Sequence, residues 1–313
     1  MDRVSYPQRA YICEDVTRDG FQNLNKSVSV EDKLRLLDMI ADAGIQSIEV
    51  GAFSPYESMK MMRNTPEVFK KLKRRENVLY RALVFDPNGA KEAAECGCGK
   101  IKINISASDA HHKGGTGMTT ADALHNFAAI GEIAKDAGMQ MAGSISLPFR
   151  SPFEGEGFIP FERLCGIIRS FIDIGISEIS LSDAAGLGDP RLIYTRFSEL
   201  KELFPDVSWM LHMHNTYGMG LAGIDAALRA GVTKFDSSLA GLGGCPYIKG
   251  ARGNVATEDL VFMLECMGIE TGTDFDLIIE AGQEAERIAG GDGCDSVIQR
   301  IGRSNGKVKR ITL

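Results

Sequence analysis

The sequence predicts an α/β fold, a TIM (β/α)₈ barrel with a short C-terminal helical extension. Three observations carry that expectation. A helical stretch ending in glycine and running straight into a β-rich segment recurs along the chain. The β-rich segments number about eight, the count that closes a barrel. Polar residues gather at the C-terminal ends of those segments, where barrel enzymes keep their chemistry. Residues 1–270 are assigned to the barrel and 271–313 to the extension.

Taken in order, Tyr11–Glu14 is the first strand, and Ala41-Asp-Ala-Gly44 ends a helix before the second, Ile45–Val50. Val78–Leu83 is the third. Ala94-Glu-Cys-Gly97 leads to Ile101–Ile105, Lys135-Asp-Ala-Gly138 to Met139–Ile145, and Ile172-Asp-Ile-Gly175 to Ile176–Leu181. Ser208–His212 is the seventh strand, and Leu228-Arg-Ala-Gly231 precedes the eighth, Val232–Asp236. Glycine accepts the left-handed conformation that terminates a helix, so each instance reads as a helix-to-strand turn. The rival, an open doubly wound sheet, calls for a glycine-rich phosphate loop after its first strand; Thr17-Arg18-Asp19-Gly20 stands there instead. From about Thr271 the chain is read as helical packing or an oligomer contact, with Gly302–Leu313 frayed. Cys96-Gly97-Cys98 is too closely spaced for a CxxC pair and is read as a turn.

Composition narrows the function classes. With 44% hydrophobic residues, 25% charged and 35 glycines, the chain can bury a large core, which excludes disordered and fibrous classes. A net charge of −7 without a basic block lacks the footprint of nucleic-acid binding. The densest basic run, Lys70–Arg75, lies between Glu67 and Glu76 and suits a solvated helix end. No apolar run is long enough to span a bilayer, and Asp2, Glu14 and Asp15 interrupt the first twenty residues, so a cytoplasmic protein without a membrane partner is expected. Seven scattered cysteines read as reduced thiols. A homodimer is the base-rate expectation for assembly.

The polar residues at strand ends are Arg18 and Asp19, then Glu49, Asp183, His212 and His214, with Cys245 and Asn254 in the loop after strand eight. In His212-Met213-His214 the two imidazoles alternate and share one strand face. With a carboxylate such as Asp19 they suit a divalent metal with positions left open; the bland alternative is a pair of core histidines. Arg18 supplies a fixed positive fork. Gly241-Leu-Gly-Gly-Cys-Pro246 brings backbone close to a ligand while presenting a thiol, either a nucleophile or a proton donor; the alternative is a buried cysteine in a tight turn. His111-His112 falls in a glycine-rich stretch and is read as a flexible loop.

These motifs resemble the 3-hydroxy-3-methylglutaryl-CoA lyase family of the DRE-TIM metallolyase superfamily. The matching segments are Thr17–Asn23, Ile48–Val50, Ser180–Asp183, His212–Leu221, and above all Asp236–Tyr247 with Gly253–Asp259. The resemblance implies Mg²⁺ or Mn²⁺ held by Asp19, His212, His214 and Asn254. It implies Arg18 at the enolate oxygen, Cys245 as a proton-transfer group, Glu49 in the network at the metal, Asp183 in the polar wall opposite, and His212 or a carboxylate as base. The implied reaction is retro-Claisen cleavage of a 3-hydroxyacyl-CoA to acetyl-CoA and a 3-oxo acid such as acetoacetate. Related alternatives are a lyase for another 3-hydroxy acid or thioester and a Claisen-type condensing synthase; a non-catalytic metal-binding barrel is the third. The chain departs from the family pattern at Leu24, Asn215, Gly51–Pro55, Ser106–Gly117 and Ser146–Pro152, mostly in substrate-side loops.

Overall fold

The computed structural model describes residues 5–305 apart from 246, 247, 249 and 292. Strands β1 (Tyr11–Glu14), β2 (Ser47–Phe53), β3 (Leu79–Val84), β4 (Lys100–Ser106), β5 (Gln140–Ser146), β6 (Glu178–Asp183), β7 (Ser208–Met213) and β8 (Lys234–Ser237) pair in parallel in sequence order. Pairing of β8 with β1 closes the barrel. The eight expected strands are all present, each within three residues of its expected bounds.

The helices are α1 (Val30–Asp42), α2 (Thr65–Lys71), α3 (Pro87–Glu95), α4 (Asp109–Thr116), α5 (Thr120–Asp136), α6 (Phe161–Asp173), α7 (Pro190–Leu203), α8 (Gly220–Arg229), α9 (Thr257–Cys266), α10 (Phe275–Ala289) and α11 (Val297–Asn305). Their starts follow local chemistry: Ser29, Asp86 and Asp189 each accept a backbone N–H in the first turn of α1, α3 and α7, satisfying donors the helix itself cannot. Their ends do too, since Gly44, Gly97, Gly138, Gly175 and Gly231 all have positive φ, as the turn reading requires. The C-terminal extension is helical, and α10 packs on α1. Two expectations change. His111 and His112 lie on α4, seeded by the Ser108 side chain, which accepts the His111 amide, so the stretch is a capped helix and not a flexible loop. Residues 302–305, read as frayed, complete α11, while 306–313 lie outside the described residues.

Alternation along the strands sorts the interior. On β4, Ile101, Ile103 and Ile105 face outward and are fully buried beneath the helices, whereas Lys102, Asn104 and Ser106 face the cleft at the barrel mouth. The apolar core therefore fills the annulus between strands and helices, as in Phe171, Phe197, Leu211 and Phe235. The barrel axis holds charge instead. Arg81 of β3 pairs with Asp236 and, at 3.0 Å, with Glu49; Lys102 meets Glu49 at 2.5 Å and lies 3.8 Å from both Asp15 and Asp236. A buried network of this kind is strongly destabilised when one partner is removed, so these pairs fix which strand face looks inward.

Candidate metal and active site

β1 stops at Glu14, and the chain enters a five-residue π-helical turn, Val16–Gly20. The amides of Arg18, Asp19 and Gly20 all donate to the Asp15 carbonyl, at 3.1, 2.8 and 3.2 Å. This turn, and not the strand end itself, carries Arg18 and Asp19 to the mouth. Arg18 is 7% exposed and is held by three carboxylates: Nε to Glu49 at 2.6 Å, Nη1 to Asp19 at 2.5 Å and Nη2 to Asp15 at 3.2 Å. Nη1 also reaches Gln22 at 3.4 Å. Burial would raise the Asp19 carboxyl, but the Arg18 charge and the two histidines outweigh it and hold the group well below the usual carboxylate range.

His212 ends in the barrel from β7, and His214 follows on the same face. Their Nε2 atoms are 3.1 Å apart, and His214 Nε2 is 3.6 Å from Asp19 Oδ2. The opposite ring nitrogens decide the tautomers. His212 Nδ1 faces Asp236 Oδ2 at 3.3 Å, and His214 Nδ1 faces the Arg252 carbonyl at 3.2 Å. Despite burial, Arg81 and Lys102 keep Asp236 ionised. Both oxygens can then only accept, so each Nδ1 carries the hydrogen; against its burial the nearby carboxylates raise His212, so that without a metal ion a proton shared between the two Nε2 atoms fills the place the ion would take. Two lone pairs beside a carboxylate repel one another unless a cation lies between them.

The donor spacing fits such an ion. Ligands about 2.1 Å from one divalent ion sit about 3 Å apart when adjacent, close to the separations here, and Asp19, His212 and His214 all lie within 4.8 Å of one another. Asn254 adds an independent sign. Its Nδ2 donates to Asp19 Oδ2 at 2.6 Å and to the Leu242 carbonyl at 3.0 Å, leaving Oδ1 buried without a hydrogen-bond partner among the described residues. A buried acceptor left unmatched costs about 1–3 kcal/mol, which coordination would relieve. The buried carboxylates Asp15, Asp19, Glu49 and Asp236 face Arg18, Arg81 and Lys102, and against burial their field also raises the His212 imidazole, as suits a place for a cation. Burial pushes Asp15 up to about 7, against the pull of Arg18, as expected where negative charge is uncompensated.

Asn254 is positioned by the segment after β8. It bridges to His214, while Asn215 N–H donates to Gly253 and Val255 N–H to Met213. Two glycines make the crossing feasible. A Cβ on Gly253 would stand 1.8 Å from the Gly241 carbonyl oxygen, and Gly243, at φ +120°, would push one to 2.5 Å from Asn254 Nδ2. Cys245 follows on the cleft wall, its Sγ 3.5 Å from His111 Nε2.

Glu49 is fully buried beneath Arg18 and Lys102, which overcome its burial and lower it to about 2. Asp183 goes elsewhere. Ser182 is the β6 residue on the cleft, and Asp183, one position on, has the opposite parity. Its Oδ2 accepts the Gly188 amide at 2.6 Å and shapes the loop before α7; the polar wall opposite Asp19 is Asn104, Ser144, Ser146 and Ser182. Asn215, a departure from the family pattern, also points away and accepts the Gly220 amide at the start of α8. Sequence reasoning missed Asp15, Arg81, Lys102 and Asp236 as members of the charged interior. The signal was there in Ile101-Lys102-Ile103, where alternation puts a lysine on the inner face.

Comparison with known proteins places this barrel and its mouth among the carbon–carbon lyases. The family model described as HMGL-like matches residues 9–284. A mitochondrial hydroxymethylglutaryl-CoA lyase from Homo sapiens is 36% identical over 276 residues, 88% of this chain and 84% of that protein. A 3-hydroxy-3-isohexenylglutaryl-CoA/hydroxy-methylglutaryl-CoA lyase from Pseudomonas aeruginosa is 35% identical over 291 residues, 92% of this chain and 95% of that one. The structure of an HMG-CoA lyase from Acinetobacter baumannii in complex with coenzyme A and 3-methylmalate superposes with a TM-score of 0.89 at 30% identity, covering 98% of each chain. The chain belongs to the HMGL-like family.

Among the described residues no helix is long and apolar enough to cross a membrane.

Proposed function

We propose that this protein cleaves 3-hydroxy-3-methylglutaryl-CoA, or a close 3-hydroxyacyl-CoA, to acetyl-CoA and a 3-oxo acid, with Mg²⁺ or Mn²⁺ held by Asp19, His212, His214 and Asn254. The observation that carries this reading is the pair of Nε2 atoms converging on Asp19 beside a buried arginine. The cation, when bound, supplies Lewis-acid polarisation of the substrate oxygens and lowers the pKa of the 3-hydroxyl.

The chain's own groups account for the rest. The hydroxyl proton is taken at this rim by a neighbouring carboxylate, because His212, a metal ligand with its Nδ1 hydrogen on Asp236, has no lone pair to spare. As the C2–C3 bond breaks, negative charge moves onto the thioester oxygen. Arg18 has three of its nitrogens already fixed by carboxylates, so its orientation is set in advance; the 3.4 Å bond to Gln22 and the remaining Nη2 hydrogen are what it can offer an oxyanion. Preorganised charge of that kind is worth about 2.7–4 kcal/mol per donor. Cys245 then gives its S–H proton to C2 of the enolate.

The surface beyond the mouth supports a CoA handle. The cleft shares Gln22, Ser58, Gly244 and Cys245 with an outer groove, which in turn shares Lys60 and Met61 with a hollow lined by Lys26 and Arg63. A pantetheine arm leaving the cleft along this track would bring its phosphates to three basic side chains.

The test is a product assay on the Mn²⁺-loaded protein with 3-hydroxy-3-methylglutaryl-CoA and its 3-isohexenyl analogue. One acetyl-CoA and one 3-oxo acid per substrate consumed is the expected result. Release of CoA from acetyl-CoA plus an oxo acid would make it a synthase, and no product with metal bound would leave a binding barrel.

A further inference from the structure

His111 stands on α4, a helix fixed by more than its own capping. Glu156, from the segment after β5, accepts the Ser108 hydroxyl, the Ser151 hydroxyl at 2.5 Å and the Ala110 amide at 3.1 Å. That one carboxylate docks the N-terminus of α4 on the barrel rim. On the other side the His111 ring lies 6.0 Å from the Phe153 ring, and its Nε2 is 3.5 Å from Cys245 Sγ. Helix and cysteine loop come from opposite sides of the barrel, 134 residues apart in sequence, yet their meeting point lines the cleft.

We propose that His111 is the positioning partner of the Cys245 thiol: its Nε2 takes the S–H hydrogen bond before proton transfer and donates to the sulfur afterwards. This rests on the reading that Cys245 protonates the enolate. In that step the S–H bond breaks, a C–H bond forms at C2, and the S–H electron pair stays on sulfur as thiolate. The hydrogen bond from neutral imidazole stabilises that thiolate until water reprotonates it, while the proton first taken from the 3-hydroxyl passes to water. Burial, with His112 beside it on α4 and against the opposing charge of Glu156, pushes His111 down to about 4, so the ring is neutral at pH 7 and can act in either sense by tautomer exchange. Among the described residues, His112, Glu156 and the Cys245 thiol itself are titratable groups that face it. Losing the Nε2 donor takes one hydrogen bond from the thiolate, which raises the thiol pKa.

The experiment compares wild type, His111→Phe, His111→Gln and Cys245→Ala as full-length, Mn²⁺-loaded proteins. Peptide-resolved iodoacetamide labelling of Cys245 across pH 6–10 is read beside kcat and KM. His111→Phe is expected to move the labelling midpoint upward by about one pH unit and to lower kcat by about tenfold or more, with KM nearly unchanged. Glutamine, whose Nε2 hydrogens reach to a similar point, should recover part of both. An unchanged midpoint and kcat in His111→Phe, with Cys245→Ala inactive, would overturn the partnership and leave the lyase reading standing. Full activity in Cys245→Ala would instead remove the thiol from the reaction. If the phenylalanine variant fails to fold, the glutamine variant and its midpoint decide.

Discussion

His212 and His214 bring their Nε2 atoms within 3.1 Å of each other, and Asp236 and the Arg252 carbonyl engage the opposite nitrogens. Adding Mn²⁺ to metal-free protein should raise its stability by about 2.7 kcal/mol at a hundredfold excess over Kd, read as a shift in Tm. His214→Ala should lose the shift. A wild-type Tm indifferent to Mn²⁺ and Mg²⁺ would count against the site.

Arg18 is gripped at Nε, Nη1 and Nη2 by Glu49, Asp19 and Asp15, a fork that lysine cannot reproduce. Arg18→Lys should therefore lose at least about a hundredfold in kcat even at saturating metal. Steady-state turnover near wild type would take the oxyanion role from Arg18.

Gly243→Ala should damage the site without replacing a ligand. At φ +120° its Cβ would approach Asn254 Nδ2 to 2.5 Å and Asp19 Oδ2 to 3.0 Å. The strain should cost about 1–3 kcal/mol and weaken Mn²⁺ binding measured by calorimetry. Gly166 in α6 is the control. A Cβ there meets nothing within 4 Å, so Gly166→Ala should leave metal binding alone and stabilise by about 0.5–1 kcal/mol.

Glu14 and Glu258 sit fully buried behind the cysteine loop and accept the amides of Leu239 and Ala240, the latter a non-glycine residue at φ +58°. Burial raises Glu14 from 4.5 to about 8 and Glu258 to about 7. The folded state then keeps protons that the unfolded chain has released, so the contribution of these two groups is full below about pH 4.5 and is lost as pH rises toward 8. Glu14→Gln should flatten that slope in urea unfolding at pH 5 and pH 8.5. An identical slope in the variant would show that Glu14 is ionised throughout.

Much of the barrel was legible because its signals are local. A glycine closing each helix and a β-rich run after it depend on a handful of neighbouring residues, and five such turns are found with the positive φ they require. The histidine pair was legible for the same reason, since alternation alone puts residues 212 and 214 on one face. Asp183 shows the limit. Its place at a strand end was clear, but one residue of parity turns it from the cleft to the loop before α7, and the sequence marks neither face of Ser182-Asp183 as inner. Residues 109–116 looked like a loop because of Gly114, Gly115 and Gly117. Tertiary docking through Glu156 and the Ser108 cap outweigh the low helix propensity. The charged interior needed pairings between β2, β3, β4 and β8 that no short window contains.

The charged axis of the barrel also divides the rim into two kinds of terrain. Asp19, His212, His214 and Asn254 are tied through Asp236, Arg81, Glu49 and Lys102 to four strands at once, so that side is locked to the frame. The facing wall, residues 106–117 and 146–152, is held by contacts outside that network: Glu156, a few hydroxyls, Arg163 on Ala107 and Asp109, and Arg150 on Asp189. A descendant of this protein could exchange one acyl group for another by rewriting that wall alone, keeping its reaction while changing its diet.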